Sequence, residues 1–335
     1  MTVEPKRSAS KVGAARFLML GPSEGWHAEQ LRAACRRHGC RVDAAGYESL
    51  ASITATPHST GSFSGNSIAD RPVTTRHRCD AGPIEQYDGI LTRTMPAASM
   101  ERLTYRLAVL HGIADRIEGR PIAMVNPPRG LEWAIDKFAT SMRLAAAGYP
   151  VPDTEVVQDR SEALDAFDRL GADCIVKPIF GGEGRGVMRV SDRELAWTCF
   201  SSLEQLQATI LIQRFVSPGG RDTRLLVIGD RVLGFRRINE RSFRTNLKTG
   251  SSCERVDVDP AHVEAARSIT RRFGLQFASV DIIDNDHGPP LFLEVNAIPG
   301  WKGAQSVCDD SIADLVIDRL RQLCRNGQLS INNGS

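Results

Sequence analysis

The 335-residue chain predicts an α+β protein in which a small, doubly wound Rossmann-like α/β domain precedes a larger part of mixed strands and helices. Two observations carry this. Up to about residue 128 the apolar pattern reads strand, helix, strand, and later strand, helix, strand again. Beyond it, strands and helices alternate irregularly and without repeat, which disfavours a second parallel sheet. The composition is that of an ordinary globular protein, 24% charged and 41% hydrophobic, and the formal net charge of +2 predicts neither a nucleic-acid partner nor an acidic membrane.

The segment ARFLMLG is read as the first strand, about His27 to His38 as a helix, and CRVDAAGY as the second strand. Residues 52 to 80 are rich in Ser, Thr and Gly and are expected to be a mobile insertion without a site. YDGILTR resumes as a strand, SMERLTYRLAVLHGIADRIEG is a helix, and PIAMVNPP a strand with a proline stop. A helix is expected from Leu131 to Ala147, ended by GYPVPDT. The remainder divides into residues 129 to 210 and 211 to 335. The eight cysteines show no CxxC spacing and are read as reduced thiols without a zinc site. FLML is too short for a signal or a membrane span, so a cytoplasmic protein is expected.

Near the end of the chain, ASVDII and LFLEVNAIPGW flank the turn-rich DNDHGPP. Strand alternation places Phe292, Glu294 and Asn296 on one face, and a hairpin closing near His287 and Gly288 sets Asp281 opposite Glu294. Facing carboxylates destabilise a sheet unless a cation intervenes. Two carboxylates and an amide oxygen suit magnesium or manganese. The alternative is an acidic hairpin face turned to water.

CIVKPIFGGEGRGVMRV has four glycines, Gly181, Gly182, Gly184 and Gly186, between two β-rich runs. Glycines let backbone amides approach phosphates, yet the loop is no Walker A motif and feeds a strand, not a helix. A flexible hairpin turn explains the glycines equally well. Lys177, in the strand before the loop, is a costly residue to bury unless an anion meets it.

VKP with its Gly-rich loop, ILIQRFV, RDTRLLVIGDRVLGFRR, SFRTNL, VDII and LFLEVNAIPGW occur in the order found in ATP-grasp ligases, and the chain resembles the RimK-like branch over roughly residues 120 to 320. RTMPAASMERLTYRLAVLH and VNPPRGLEWAIDK further resemble the tetrahydromethanopterin-type glutamate ligases. The resemblance implies an ATP-grasp fold after the Rossmann-like domain. It implies that Lys137 and Lys177 hold ATP phosphates under the loop Gly181 to Gly186. Gln213, Arg214, Phe215 and Val216 would line adenine, Asp222 would take ribose hydroxyls, and Thr245 would also face the nucleotide. Arg214 departs from the Glu of many relatives, so contacts there would pass through the backbone.

The implied metal ligands are Asp281, Glu294 and Asn296, holding Mg2+ or Mn2+, two ions in all. Arg236, Arg237, Arg244 and Asn246 would stabilise the transferring phosphoryl group and a carboxylate. The implied reaction joins L-glutamate to a small-molecule carboxylate acceptor through an acyl phosphate, without nucleic acid or membrane, and a homo-oligomer is compatible with it. Glutamylation of a protein tail, an ATP-grasp kinase and a non-catalytic nucleotide module are the alternatives.

Overall fold

A computed structural model describes residues 14–55, 74–115, 122–182, 184–246 and 250–332, with side chains up to residue 326. The chain divides into two compact units, Met1–Ala123 with Leu320–Ser335, and Met124–Arg319.

The first unit opens with β1 (Arg16–Leu20), α1 (Trp26–Arg37) and β2 (Arg41–Ala45). Strand β1 is apolar and buried from Phe17 to Leu20 and pairs in parallel with β2, as the βαβ reading predicts. Next, β3 (Ala51–Ala55) and β4 (Thr74–Cys79) form an antiparallel pair, extended by β5 (Gly82–Pro83). This corrects the expectation of an unstructured insertion: Ser52 Oγ meets His77 Nδ1 at 2.8 Å and Thr54 meets Thr75 at 3.2 Å. Polar side chains, two of them β-branched threonines, hold this hairpin without any apolar alternation to betray it. The rest of the expected insertion, residues 56–73, lies outside the described residues. After β6 (Gly89–Thr92) comes α2 (Met100–Ala114), capped by Ser99 accepting from the Arg102 amide. The sheet order is β2–β1–β6–β7, with β7 (Ala123–Val125) the strand at which the chain passes into the second unit.

In that second unit the helix expected from Leu131 to Ala147 is two helices, α3 (Pro128–Ile135) and α4 (Lys137–Ala146). Asp136 breaks them apart with an extended backbone, and its side chain caps α4 by accepting from the Ala139 amide at 2.9 Å. Four strands, β8 (Thr154–Val157), β9 (Cys174–Lys177), β10 (Met188–Val190) and β11 (Ile210–Arg214), form an antiparallel sheet in the order β10–β9–β11–β8. Helices α5 (Arg160–Arg169) and α6 (Arg193–Gln205) cover it, and Phe167 and Phe200 meet edge to face in the shared core.

The larger sheet is antiparallel and ordered β14–β13–β12–β15–β16, from β12 (Arg221–Ile228), β13 (Arg231–Ile238), β14 (Ser252–Val256), β15 (Phe277–Ile283) and β16 (Leu291–Asn296). Helix α7 (Pro260–Arg272) joins β14 to β15, and α8 (Lys302–Gln305) follows β16. Buried Asn126 ties the start of this unit to its sheet. Its Nδ2 donates to the Phe277 and Ala297 carbonyls, both at 2.6 Å, and its Oδ1 accepts from the Gln276 and Phe277 amides.

The last helix, α9 (Ile312–Asn332), changes unit at Leu320. The expected division assigned this stretch to the final subdomain. Its packing explains the difference: a Cβ on Gly89 of β6 would lie 2.8 Å from Leu320 Cδ1, and Cys324 Sγ donates to the Asp88 carbonyl at 3.2 Å. Among the described residues no helix is long and apolar enough to cross a membrane.

Candidate functional site

The register of β12, β13, β15 and β16 assembles one polar face. Asp281 is opposite Glu294 and Ser279 opposite Asn296, while Arg224 is opposite Asp281 and Asp222 opposite Arg237. The hairpin pairing therefore matches the one read from alternation, with one correction. A bulge between Asp281 and Ile282 leaves Leu293 as the extra residue, so Phe292 is turned to the buried face with Val295 and does not accompany Glu294.

Asp281 is 1% exposed, and three N–H groups bind it: Arg224 Nε at 2.9 Å, Arg224 Nη2 at 2.6 Å and Arg237 Nη2 at 2.9 Å. Burial opposes its ionisation, but the two guanidinium groups outweigh that and hold its carboxyl below the usual carboxylate range. The cation that the facing carboxylates require is thus already present as arginine. A carboxylate has about four lone-pair sites, so one on Asp281 Oδ1 is left for a further cation. Asn296 Nδ2 donates to Glu294 Oε1 at 3.0 Å and to Ser279 Oγ at 3.3 Å, which turns the Asn296 amide oxygen away from both. Among the described residues no three His, Cys, Asp or Glu side chains form a metal cluster. The set of two carboxylates and an amide oxygen nevertheless fits a hard divalent ion.

Asp222 is 1% exposed, and Arg237 grips both its oxygens, at 2.7 and 2.6 Å, while Thr245 Oγ1 donates to it as well. These contacts take three of its about four lone-pair sites, so Asp222 chiefly holds Arg237, and the expected contact with ribose hydroxyls would rest on the one site left on Oδ1. Thr245 is held by the same contact. Arg224 was not singled out from sequence, although RDTR places it two residues after Asp222 on the same face. Arg236 occupies the opposite face, where it pairs with Asp284 and donates to Thr223 Oγ1 at 3.1 Å. Alternation separates Arg236 from Arg237, so the two do not act as one group.

The helix break positions the lysines. The Lys137 amide donates to the Ile179 carbonyl at 3.1 Å, Asp136 bridges Phe180, and Lys137 Nζ reaches the Gly181 carbonyl at 2.5 Å. Lys177 Nζ donates to Gln213 Oε1 at 2.9 Å, and Gln213 Nε2 donates in turn to Thr154 Oγ1 at 2.8 Å. Burial pushes the Lys177 ammonium down to about 8, with Lys137 adding to the fall and Glu294 opposing it. Lys137 is also lowered, by burial against the pull of Glu294 and Asp136. Both lysines and Glu294 consequently share one electrostatic neighbourhood.

At the hinge, the Arg214 amide donates to the Asp153 carbonyl and the Phe215 amide to the Asp173 carbonyl, both at 2.9 Å. The Arg214 side chain turns outward to Asp153 at 3.1 Å. Gln213 is occupied by Lys177 and Thr154, so its side chain does not face a base. Among the described residues, Val216 is the hinge position whose amide makes no backbone bond. Phe215 lies beneath Arg189, 3.5 Å from ring centre to Cζ, and edge-on to Phe243. The glycine loop meets the SFRTNL segment: a Cβ on Gly184, whose φ is +70°, would lie 2.7 Å from Asn246 Oδ1, and Arg244 Nη2 donates to the Val187 carbonyl. Gly181, Gly182 and Gly186 complete the loop, and Phe180 at its start is 64% exposed.

Residues 134–320 match the family described as the RimK-like ATP-grasp domain. The chain belongs to that family. A probable alpha-L-glutamate ligase of Sodalis glossinidius is 33% identical over 70% of this chain and 77% of its own length. A tetrahydromethanopterin:alpha-L-glutamate ligase of Methanosarcina acetivorans is 28% identical over 72% and 82%. Among solved structures, the ATP-grasp ligase PsnB complexed with its minimal precursor superposes with a TM-score of 0.68 at 20% identity, over 93% of this chain and 100% of that one. The RimK-like chain thus has the α+β ATP-grasp fold and is an ADP-forming ligase of a family that uses ATP and magnesium.

Proposed function

We propose that this RimK-like enzyme joins L-glutamate, through its α-amino group, to a carboxylate of a small acidic acceptor of the tetrahydromethanopterin-precursor type. The observation that carries the reading is the convergence of Lys137, Lys177 and Glu294 beside Asp281 and Asn296. Such a set can hold a nucleotide triphosphate and its metal without any side-chain nucleophile. The names of the glutamate-ligase relatives support the amine and acceptor classes.

In this mechanism an acceptor carboxylate oxygen attacks the γ-phosphorus, the bond to ADP breaks, and an acyl phosphate forms. The glutamate amine then attacks the acyl carbon, phosphate leaves, and the nitrogen loses a proton. Lys137 and Lys177 hold phosphate oxygens as point cations, and Gly181 to Gly186 bring backbone amides over them. Glu294, Asn296 and the remaining Asp281 lone pair would hold magnesium, which when bound neutralises charge on the transferring phosphoryl group. Arg224 and Arg237 keep Asp281 ionised, and Arg244 and Asn246 face the loop that covers the nucleotide. The hinge takes adenine through the Val216 amide and neighbouring carbonyls.

The test is mass spectrometry of the purified protein with ATP, magnesium, labelled glutamate and three acceptors: the pterin, a peptide with a carboxyl-terminal tail, and glutarate. One glutamyl unit on the pterin is expected. Modification of the tail or glutarate alone would overturn the acceptor and leave the ligase class standing.

A further inference from the structure

The first unit carries two arginines that the ligase site does not use. In the sheet order β2–β1–β6–β7, the chain leaves β1 toward one side and β6 toward the other, so the order reverses between β1 and β6. In open α/β sheets this reversal opens a crevice at the carboxyl ends of those two strands, where ligands bind. Arg93 is the first residue after β6; its amide donates to the Leu20 carbonyl at 2.7 Å, and its carbonyl accepts from the buried Tyr47 hydroxyl at 3.2 Å. Gly21, the first residue after β1, packs its backbone directly against Arg93, since a Cβ there would lie 2.8 Å from Arg93 Cβ. Arg106 reaches back from α2 and donates through Nη1 to the Pro96 carbonyl at 2.9 Å.

Arg106 is 5% exposed and Arg93 is 9% exposed. Among the described residues the Arg106 guanidinium meets no carboxylate, and none of its nitrogens is a sealed, unsatisfied atom. Its remaining N–H groups therefore stay within reach of the surface, beside the exposed Pro96 whose carbonyl Arg106 holds. Burial pushes the Arg93 guanidinium down to about 10, and the fields of both arginines reach the Tyr47 phenol. A guanidinium presents a fork that matches a carboxylate. Concentrated positive charge at the reversal point of a sheet is a receptor for an anion.

We propose that Arg106, reinforced by Arg93, forms a carboxylate-binding subsite at the carboxyl ends of β1 and β6 that takes the acidic group of a substrate. That the bound acid is a substrate rests on the glutamate-ligase reading; the binding itself does not. Isothermal titration of the full chain without nucleotide, using L-glutamate, glutarate and sulfate, separates the two. The wild type is expected to bind a carboxylate ligand, and Arg106→Gln to weaken it about tenfold or more, the loss of a charge-assisted pair. ATP affinity, titrated separately, stays unchanged. Preference for L-glutamate assigns the subsite to the amine substrate, and equal binding of glutarate to the acceptor. Should the Gln variant melt early, Arg106→Lys keeps the charge and removes the fork, and is expected to weaken binding severalfold with the melting temperature retained. Absence of carboxylate binding in the wild type, equal binding of sulfate, or variants that bind as the wild type does would overturn the proposal and leave Arg106 as a clamp on the Pro96 loop.

Discussion

Glu294 is the residue on which the ligase site turns, because it faces Asp281 and lies within the field of both lysines. Glu294→Gln keeps the shape and the bond to Asn296 but removes the charge. Turnover is expected to fall about a hundredfold or more, measured by phosphate release, with the melting temperature little changed. Lys177 supplies a pH dependence. Pushed down to about 8, it is a cation below that pH and neutral above, so ATP affinity falls as pH rises through 8, and Lys177→Met abolishes that slope. In the nucleotide-free protein the sign is opposite. The unfolded lysine keeps its proton to about pH 10.4, the unfolded state binds more protons across that window, and stability from this group rises with pH. Denaturant titrations across the window check it. Arg214→Glu breaks only an exposed pair with Asp153, so ATP affinity measured by titration is expected to change less than about fivefold. Lys177 and the facing acids were legible in sequence, because a charge inside an apolar strand is conspicuous, whereas Lys137, at the start of a helix, was reached only through the family resemblance. Arg224 was not legible, because an arginine in the polar first half of a strand reads as an ordinary surface residue until its partner strand is known.

Among the elements, the break between α3 and α4 places Lys137, yet its sequence is apolar and continuous enough to read as one helix. The signal was Asp136, a good amino-terminal cap standing inside a helical pattern. Asp136→Ala removes the cap and is expected to cost about 1 kcal/mol, seen as a lower melting temperature. Because the same turn carries Lys137 to the Gly181 carbonyl, KM for ATP should rise with it, whereas a purely structural cap would leave KM alone. The hairpin of β15 and β16 was legible from period-two alternation, but its bulge was not: Leu293 looks like any other apolar strand residue, and no glycine marks the insertion. Only the pairing with Ile282 shows that Phe292 belongs to the core. The hairpin of β3 and β4 escaped for a related reason, since its stabilising pairs are hydroxyls and a histidine on strands of low hydrophobicity.

For the whole molecule, the two-unit organisation was legible up to the end of the first βαβ pattern, whereas the return of α9 was not. An amphipathic helix announces that one face is covered without naming what covers it. Leu320 is fully buried and lies against Gly89, so Leu320→Ala is expected to destabilise the protein by about 2–5 kcal/mol, measured by chemical denaturation. Hydrogen exchange should show the loss first in β1 and β6, and later in the sheet of β12 and β15. The same arrangement decides what a shortened chain can hold. The second unit ends at Arg319, so a chain that stops short of Leu320 keeps every strand of both units and the whole nucleotide-binding part. Domains fold as units, yet the first one, with all its strands made, then lacks the cover over β6. Such a chain would expose the apolar flank of a finished sheet, a surface that invites aggregation.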